Sequence, residues 1–391
     1  MISHYIQEAI SRGSIIRVMF ERGRKLKAQY GADQVFDLTL GNPVLEPPPE
    51  YFQALHELAE LRDKGLHRYM PNVGFDFVRD NIAQRLRERK ILPEVTRENI
   101  IMTAGAACGL NIVLKAILNP GDEVIILAPY FVEYLHYVTG YQGVFVIANS
   151  NPDFSLNLDE LASKITPKTR ALIINSPNNP SGRVYSQSSL EAMADLLYLK
   201  QKQYHTRIAI ISDEPYRELI FDGQKVFSVA SIYENSFVVY SWSKSLSIPG
   251  DRIGYVAFNP AMNNPRMLDA LSFCLRLSGM VNAPAIMQWL VNKLLDVSID
   301  INYYQTKRDR IYQSLKSAGY DLIKPEGTFY VFPRAPGDDA LAFMQKAMQL
   351  NILVVPGQGF GWPTHFRIAY CTDDYTIDRA LEGLVALVRS A

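Results

Sequence analysis

Ser241-Trp242-Ser243-Lys244-Ser245-Leu246-Ser247-Ile248-Pro249-Gly250-Asp251-Arg252-Ile253-Gly254-Tyr255 follows directly on the apolar run Phe237-Val238-Val239-Tyr240. A strand that stops in Ser-x-Ser-Lys sets one amine and two small hydroxyls at a sheet edge. The hydroxyls, with Arg252, suit a phosphate. A lysine between them suits covalent attachment to an aldehyde.

Outward from this stretch the chain alternates strand and helix patterns. Besides Phe237 to Tyr240, apolar runs occur at Ile100 to Met102, Val124 to Leu127, Val144 to Ile147, Ala171 to Ile174, Ile208 to Ile211 and Ile253 to Phe258. Most are continuous, as in strands buried on both faces. Helical patterns such as Leu110 to Leu118 and Leu190 to Lys202 separate several of them. The expected fold is α/β, a mostly parallel seven-stranded sheet between helices.

Both ends of the chain read differently. Ser14 is a candidate N-cap for a helix carrying Ile15, Ile16, Met19, Phe20 and Leu26, stopped by Gly31. Asp37 to Pro43 reads as a short strand entering a turn, and Pro47-Pro48-Pro49 as a stiff linker. Beyond about residue 285 comes one long helical stretch, Ala285 to Ala318. Strands then follow at Phe329 to Phe332, Ile352 to Val355 and Phe366 to Ala369, with helices at Leu341 to Leu350 and Ile377 to Val388. The expected division is a large domain, 46–285, and a smaller α+β domain formed by 1–45 and 286–391.

Composition bounds the function. The chain has 391 residues, 48% hydrophobic and 20% charged, with zero formal net charge, so no general affinity for nucleic acid or anionic membranes is implied. Cys108, Cys274 and Cys371 are far apart and six histidines are scattered, a pattern that predicts neither a disulfide framework nor a metal site. No apolar h-region opens the sequence and no run of about 18 apolar residues occurs, so the expected location is the cytoplasm.

Ligands of open α/β sheets sit beyond the carboxyl ends of the strands. There the sequence carries Thr103-Ala104-Gly105-Ala106-Ala107-Cys108-Gly109, Pro129-Tyr130-Phe131, Asn175 to Gly182, Ser212-Asp213-Glu214-Pro215-Tyr216 and the Ser-x-Ser-Lys stretch. Each alone has a plainer reading. Gly105 to Gly109 is a tight turn, Tyr130 and Phe131 are core, Asn-Asn-Pro-Ser-Gly is a turn, and Asp213 is a helix cap. Lys244 is a solvated lysine, and Arg367 a surface residue of an edge strand. Together the five ends offer one ligand a phosphate cradle, a ring platform, a carboxylate for a ring nitrogen and an amine for an aldehyde.

At these residues the sequence resembles the class I/II aminotransferases, fold-type I pyridoxal phosphate enzymes typified by aspartate aminotransferase. The motifs are Asn178-Asn179-Pro180-Ser181-Gly182, Asp213-Glu214-Pro215-Tyr216, Ser241-Trp242-Ser243-Lys244 and Gly250 to Tyr255. The likeness runs from about Leu40 to the C-terminus and includes His67-Arg68-Tyr69 and Phe366-Arg367-Ile368. It implies pyridoxal 5'-phosphate as cofactor and an amino acid and a 2-oxo acid as substrates, exchanged by ping-pong kinetics. It makes Lys244 the Schiff-base lysine and proton shuttle, Asp213 the partner of the pyridine nitrogen, and Tyr216 and Asn179 the donors to the ring oxygen. Phe131 takes the stacking position. Gly105, Ala106, Ala107, Ser241, Ser243 and Arg252 form the phosphate cup. Arg367 grips the α-carboxylate beside Gly41, with Asn179 nearby. Tyr69 reaches the phosphate of a neighbouring subunit, which implies a homodimer.

Asp251, where an apolar residue is usual, is expected to face away from the cofactor. Cys108 in the phosphate loop is expected to be an inert thiol. Two rival functions share the motifs: a β-eliminating lyase acting on a sulfur amino acid, and a non-catalytic cofactor-binding regulator. The residues that select the substrate side chain are not legible. Arg276 or Arg68 would serve a dicarboxylate, and Phe360 and Trp362 an aromatic or aliphatic side chain.

Overall fold

The computed structural model describes residues 1–4, 6–7, 10, 15–61 and 65–389; Ser14, the expected N-cap, lies outside them. Its centre is a seven-stranded sheet of β2 (Ile100–Thr103), β3 (Glu123–Ala128), β4 (Val144–Asn149), β5 (Thr169–Asn175), β6 (Ala209–Asp213), β7 (Ser236–Ser241) and β8 (Gly254–Phe258), in the order β2-β8-β7-β6-β5-β3-β4. Every pairing is parallel except those of β8, which runs antiparallel to both β2 and β7. The expected α/β class holds. The reversal at β8 puts the start of that strand, and Arg252 before it, at the same edge as the carboxyl ends of the other six strands.

Continuous apolar strands are buried because helices cover both faces. Ile126, Ile173, Val239 and Val256 pack with Leu110 and Val113 of one helix layer, while Ile125, Leu172 and Ile210 pack with Leu190, Met193 and Leu197 of another. β4 is the exception. It is one of two end strands and leaves Val144 and Ile147 exposed, whereas β2 at the other end is buried throughout.

A separate apolar core holds the chain ends together. Met19 of α1 (Ile15–Tyr30) packs there with Ile352, Leu353, Phe366, Ile368 and Leu384. Gly31 ends α1 with φ +93, a conformation open to glycine, and its N–H bonds the Lys27 carbonyl at 3.0 Å. Phe36 and Asp37 form β1, which pairs in parallel with β10 (Ile352–Leu353). β12 (Phe366–Ala369) lies between β11 (Val355–Pro356) and β9 (Tyr330–Val331).

Three local expectations are corrected. Pro49 opens the helix Pro49–Leu61 rather than closing a stiff linker, because its missing N–H would be unpaired in a first helical turn anyway. The stretch 285–318 is two helices, Ala285–Lys293 and Ile301–Ser317. Asp300 starts the second by accepting the Asn302 N–H at 2.9 Å. The run Ile352 to Val355 bends, so its halves join different sheets.

Candidate active site

A cavity of about 310 Å³ lies at the shared strand edge. Its walls include Gly41, Ala106, Ala107, Phe131, Asn179, Asp213, Tyr216, Ser241, Ser243, Lys244, Arg252 and Arg367, which is all but two of the expected site residues. Gly105 lies just behind the wall. Tyr69 is 91% exposed, away from the cavity.

Lys244 leaves the end of β7, and its Nζ donates to the Gly41 carbonyl at 2.7 Å. Burial, with the positive charges of Arg252 and Arg367, lowers its pKa to about 8, against a smaller upward pull from Cys371. An ordinary lysine is a far weaker base source near neutrality, because almost none of it is unprotonated.

Asp213 closes β6 and is 5% exposed. The Tyr134 hydroxyl donates to its Oδ2 at 2.6 Å, and the Asn175 amide donates to its backbone carbonyl at 2.8 Å. Its Oδ1 is buried with no hydrogen-bond partner among the described residues. Desolvation raises the carboxyl to about 7; the Tyr134 bond pulls it down and the Glu214 charge pushes it up. A buried carboxylate oxygen without a donor is costly, so this atom calls for a charged N–H from a ligand.

Arg367 projects from β12 and is 2% exposed. Its Nη1 donates to Asn179 Oδ1 at 3.0 Å and its Nη2 to the Thr39 carbonyl at 2.6 Å. Its Nε is buried and unpaired among the described residues. Its Cζ lies 4.4 Å from the Tyr330 ring centroid and 4.9 Å from that of Phe360. Phe360 therefore backs the guanidinium and does not line the cavity. An arginine held on aromatic faces with an open donor is built for a planar anion such as a carboxylate.

The expected phosphate cradle rests on close approach. Gly105 has φ +84 and precedes the helix Ala106–Ile117. A Cβ there would meet Arg252 Nη2 at 2.6 Å. Arg252 itself has φ +54, and donates to the Pro249 carbonyl at 2.9 Å and the Ala104 carbonyl at 3.2 Å. The turn thus folds the guanidinium across the helix N-terminus, where backbone N–H groups favour an anion. Ser241 and Ser243 are buried on the same wall.

The departures from the family pattern have physical places. Asp251 accepts the Tyr51 hydroxyl at 2.6 Å, on the side of the helix Pro49–Leu61, outside the cavity. Cys108 is half-buried against the helix layer, and burial raises its thiol pKa. Arg276 is exposed in a different cleft and Arg68 is exposed in a turn, so neither reaches the cavity. Trp362 belongs to an aromatic cluster with Phe154 and His365, not to the cavity wall.

Sequence reading missed Tyr134, Tyr137, Asn175 and Tyr330. Asn175 had a signal, being the last residue of a strand that feeds the site. The three tyrosines had none, since each sits in a segment that reads as ordinary core or helix.

A family model for aminotransferases of class I and II matches residues 33–384. An aspartate aminotransferase of Bacillus sp. (strain YM-2) is 31% identical over 383 residues, 94% of each chain. An aspartate aminotransferase of Pyrococcus abyssi is 31% identical over 378 residues, 92% of this chain and 93% of that one. A solved amino transferase from Eubacterium rectale superposes with TM-score 0.95 at 37% identity, covering 100% of this chain and 99% of that one. The aspartate aminotransferase of Thermus thermophilus solved with maleate gives TM-score 0.88 at 28% identity over 99% of both chains. These relatives are transferases; none supports the lyase or the regulator. The chain belongs to the class I and II aminotransferase family and is a transferase.

Proposed function

We propose that the cavity binds pyridoxal 5'-phosphate, the cofactor of this class, and moves an amino group between an L-amino acid and a 2-oxo acid in a ping-pong reaction. The observation that carries this is the unpaired, buried Oδ1 of Asp213 in the same cavity as the Lys244 amine. The residues fit the group. Asp213 supplies a carboxylate for a protonated ring nitrogen. The Gly105 to Ala107 turn, Ser241, Ser243 and Arg252 suit a phosphate, and Phe131 offers a ring face.

When bound, the cofactor supplies an aldehyde for the amino group and a ring that takes up the electron pair left when the Cα–H bond breaks. The protein supplies the rest. Arg367 binds and orients the α-carboxylate through Nη and its free Nε. Asn179 accepts from Arg367 through Oδ1, which leaves its Nδ2 as a donor toward the ring oxygen, alongside Tyr216. Lys244 Nζ would hold the cofactor at its aldehyde carbon, water leaving as that bond forms; displaced by the substrate amine, it would take the proton from the substrate's Cα and deliver it to the former aldehyde carbon. Its lowered pKa leaves a usable fraction of free amine near neutral pH.

Several wider readings belong to the same proposal. Tyr69, so exposed here, serves the phosphate site of a second copy in a homodimer, and analytical ultracentrifugation checks that state. The segments 46–285 and 1–45 with 286–391 act as two domains, supported by an apolar core built mostly from the second pair of segments; Tyr216, Leu219 and Phe221 join that core, Met287, Leu290, Val291 and Leu294 pack instead in the large-domain core, and Val132 and Phe154 meet Phe332, Val355 and Phe360 between the two. Limited proteolysis between them checks the division. Among the described residues no helix is long and apolar enough to cross a membrane, which suits a cytoplasmic enzyme.

The test is to load purified protein with pyridoxal phosphate, fix it with borohydride and map the modified peptide. The label should fall on Lys244. Lys244→Ala should lose the label and at least ~10²-fold in amine transfer. Steady release of pyruvate and ammonia with no 2-oxo acid present would overturn the transaminase reading.

A further inference from the structure

Tyr330 belongs to none of the motifs that mark the site, yet it touches several groups proposed to act there. It is 3% exposed on β9. Its phenol lies 3.0 Å from the phenol of Tyr216. Its ring carries the Arg367 guanidinium at 4.4 Å. Its hydroxyl lies so close to Gly41 that any Cβ there would overlap it, and the Gly41 carbonyl is the acceptor of Lys244 Nζ at 2.7 Å. The backbone is pinned as well. Tyr330 pairs with Ala369, two residues beyond Arg367 on β12, and its N–H bonds Thr328 Oγ1 at 3.2 Å.

We infer that Tyr330 is a positioning residue: its hydroxyl donates to Tyr216, leaving the Tyr216 proton for the cavity, while its ring holds Arg367 in place for the carboxylate. The inference rests on the aminotransferase reading above. Each phenol has one proton to give. If Tyr216 gave its proton to Tyr330 it would have none for a ligand. With Tyr330 as donor the chain runs one way, Tyr330 to Tyr216 to cavity, and a hydroxyl that accepts a bond donates more strongly. The ring acts separately, because a buried guanidinium on an aromatic face keeps its orientation with no side-chain acceptor on that side. Hydroxyl and ring thus serve different steps.

Two substitutions separate them. Wild-type protein is first loaded with pyridoxal phosphate and shown to transfer amine. If it binds no cofactor, the proposed function fails first and takes this inference with it. Tyr330→Phe keeps the ring. A weaker Tyr216 donor stabilises the deprotonated cofactor less, so the midpoint of the bound cofactor's visible pH titration should rise by about half a unit or more. kcat should fall about tenfold, while KM and the Kd of a non-reacting 2-methyl amino acid stay within about twofold. Tyr330→Leu removes the ring as well, and should raise both KM and that Kd about tenfold. A merely structural tyrosine would lower the melting temperature in both variants and leave the midpoint and Kd where they are; that result overturns the inference. Should Tyr330→Phe fail to fold, Gly41→Ala presses on the same hydroxyl and must move the midpoint the same way. An unmoved midpoint there counts equally against it.

Discussion

Asp213→Asn isolates the cost of keeping a carboxylate in the cavity wall. Asp213 is 5% exposed; among the described residues its side chain receives one hydrogen bond, from Tyr134, and Oδ1 has no partner. Desolvation raises the carboxyl from 3.8 to about 7. Each tenfold change in proton affinity is worth ~1.4 kcal/mol, so ionising Asp213 in the folded, cofactor-free protein costs about 4 kcal/mol relative to the unfolded chain. The folded pKa is the higher one, so the folded state holds the proton more tightly. Stability of the cofactor-free protein therefore falls as pH rises from about 4 to about 7, and the whole penalty is present above that. Asparagine cannot ionise. Cofactor-free Asp213→Asn should exceed wild type by roughly 2–4 kcal/mol near pH 8 and converge with it near pH 4. Urea unfolding across this range, at one protein concentration, measures the difference. Saturating pyridoxal phosphate should reverse the order, because only the carboxylate gains from a charged ring nitrogen. If wild type and Asp213→Asn run parallel in pH without cofactor, the carboxylate is not destabilised and the reasoning is wrong.

Other outcomes follow from the same geometry. Arg367→Lys keeps the charge but loses the planar fork, so steady-state kinetics should give KM for every amino donor about 10- to 100-fold higher, with cofactor affinity unchanged by titration. Tyr134→Phe removes the one bond that lowers the Asp213 pKa. The fall in cofactor-free stability should then be centred at higher pH than in wild type, and the cost at about pH 8 should grow by ~1–2 kcal/mol. Gly105→Ala sets a Cβ 2.6 Å from Arg252 Nη2 at a φ of +84. Cofactor binding followed by absorbance should weaken at least about tenfold, while the KM of the remaining loaded enzyme changes little.

The sequence by itself determined the fold class and most of the site. Strand runs, the turns that end them and the groups placed in those turns are local patterns, so the candidate residues at each strand end are legible locally, while their roles came from their combination and the family likeness. Asp213, Lys244, Asn179 and the Gly105 turn are all of this kind. Arg367, read from the family likeness, also reached the cavity. Only the tertiary structure decided which strand ends are neighbours, and that β8 runs backwards to bring Arg252 to their edge. It alone broke the helical stretch at Asp300, since a cap competes with a periodicity that continues past it. It alone brought in Tyr134 and Tyr330. Tyr134 lies 79 residues from Asp213 in sequence, and Tyr330 lies 114 from Tyr216. Contacts across such separations depend on how whole layers pack, and a buried tyrosine leaves the same trace in a sequence whether its hydroxyl meets a carboxylate or a backbone carbonyl. The opening Ser-x-Ser-Lys stretch therefore located the chemistry, while the surroundings that tune it came from segments without motifs.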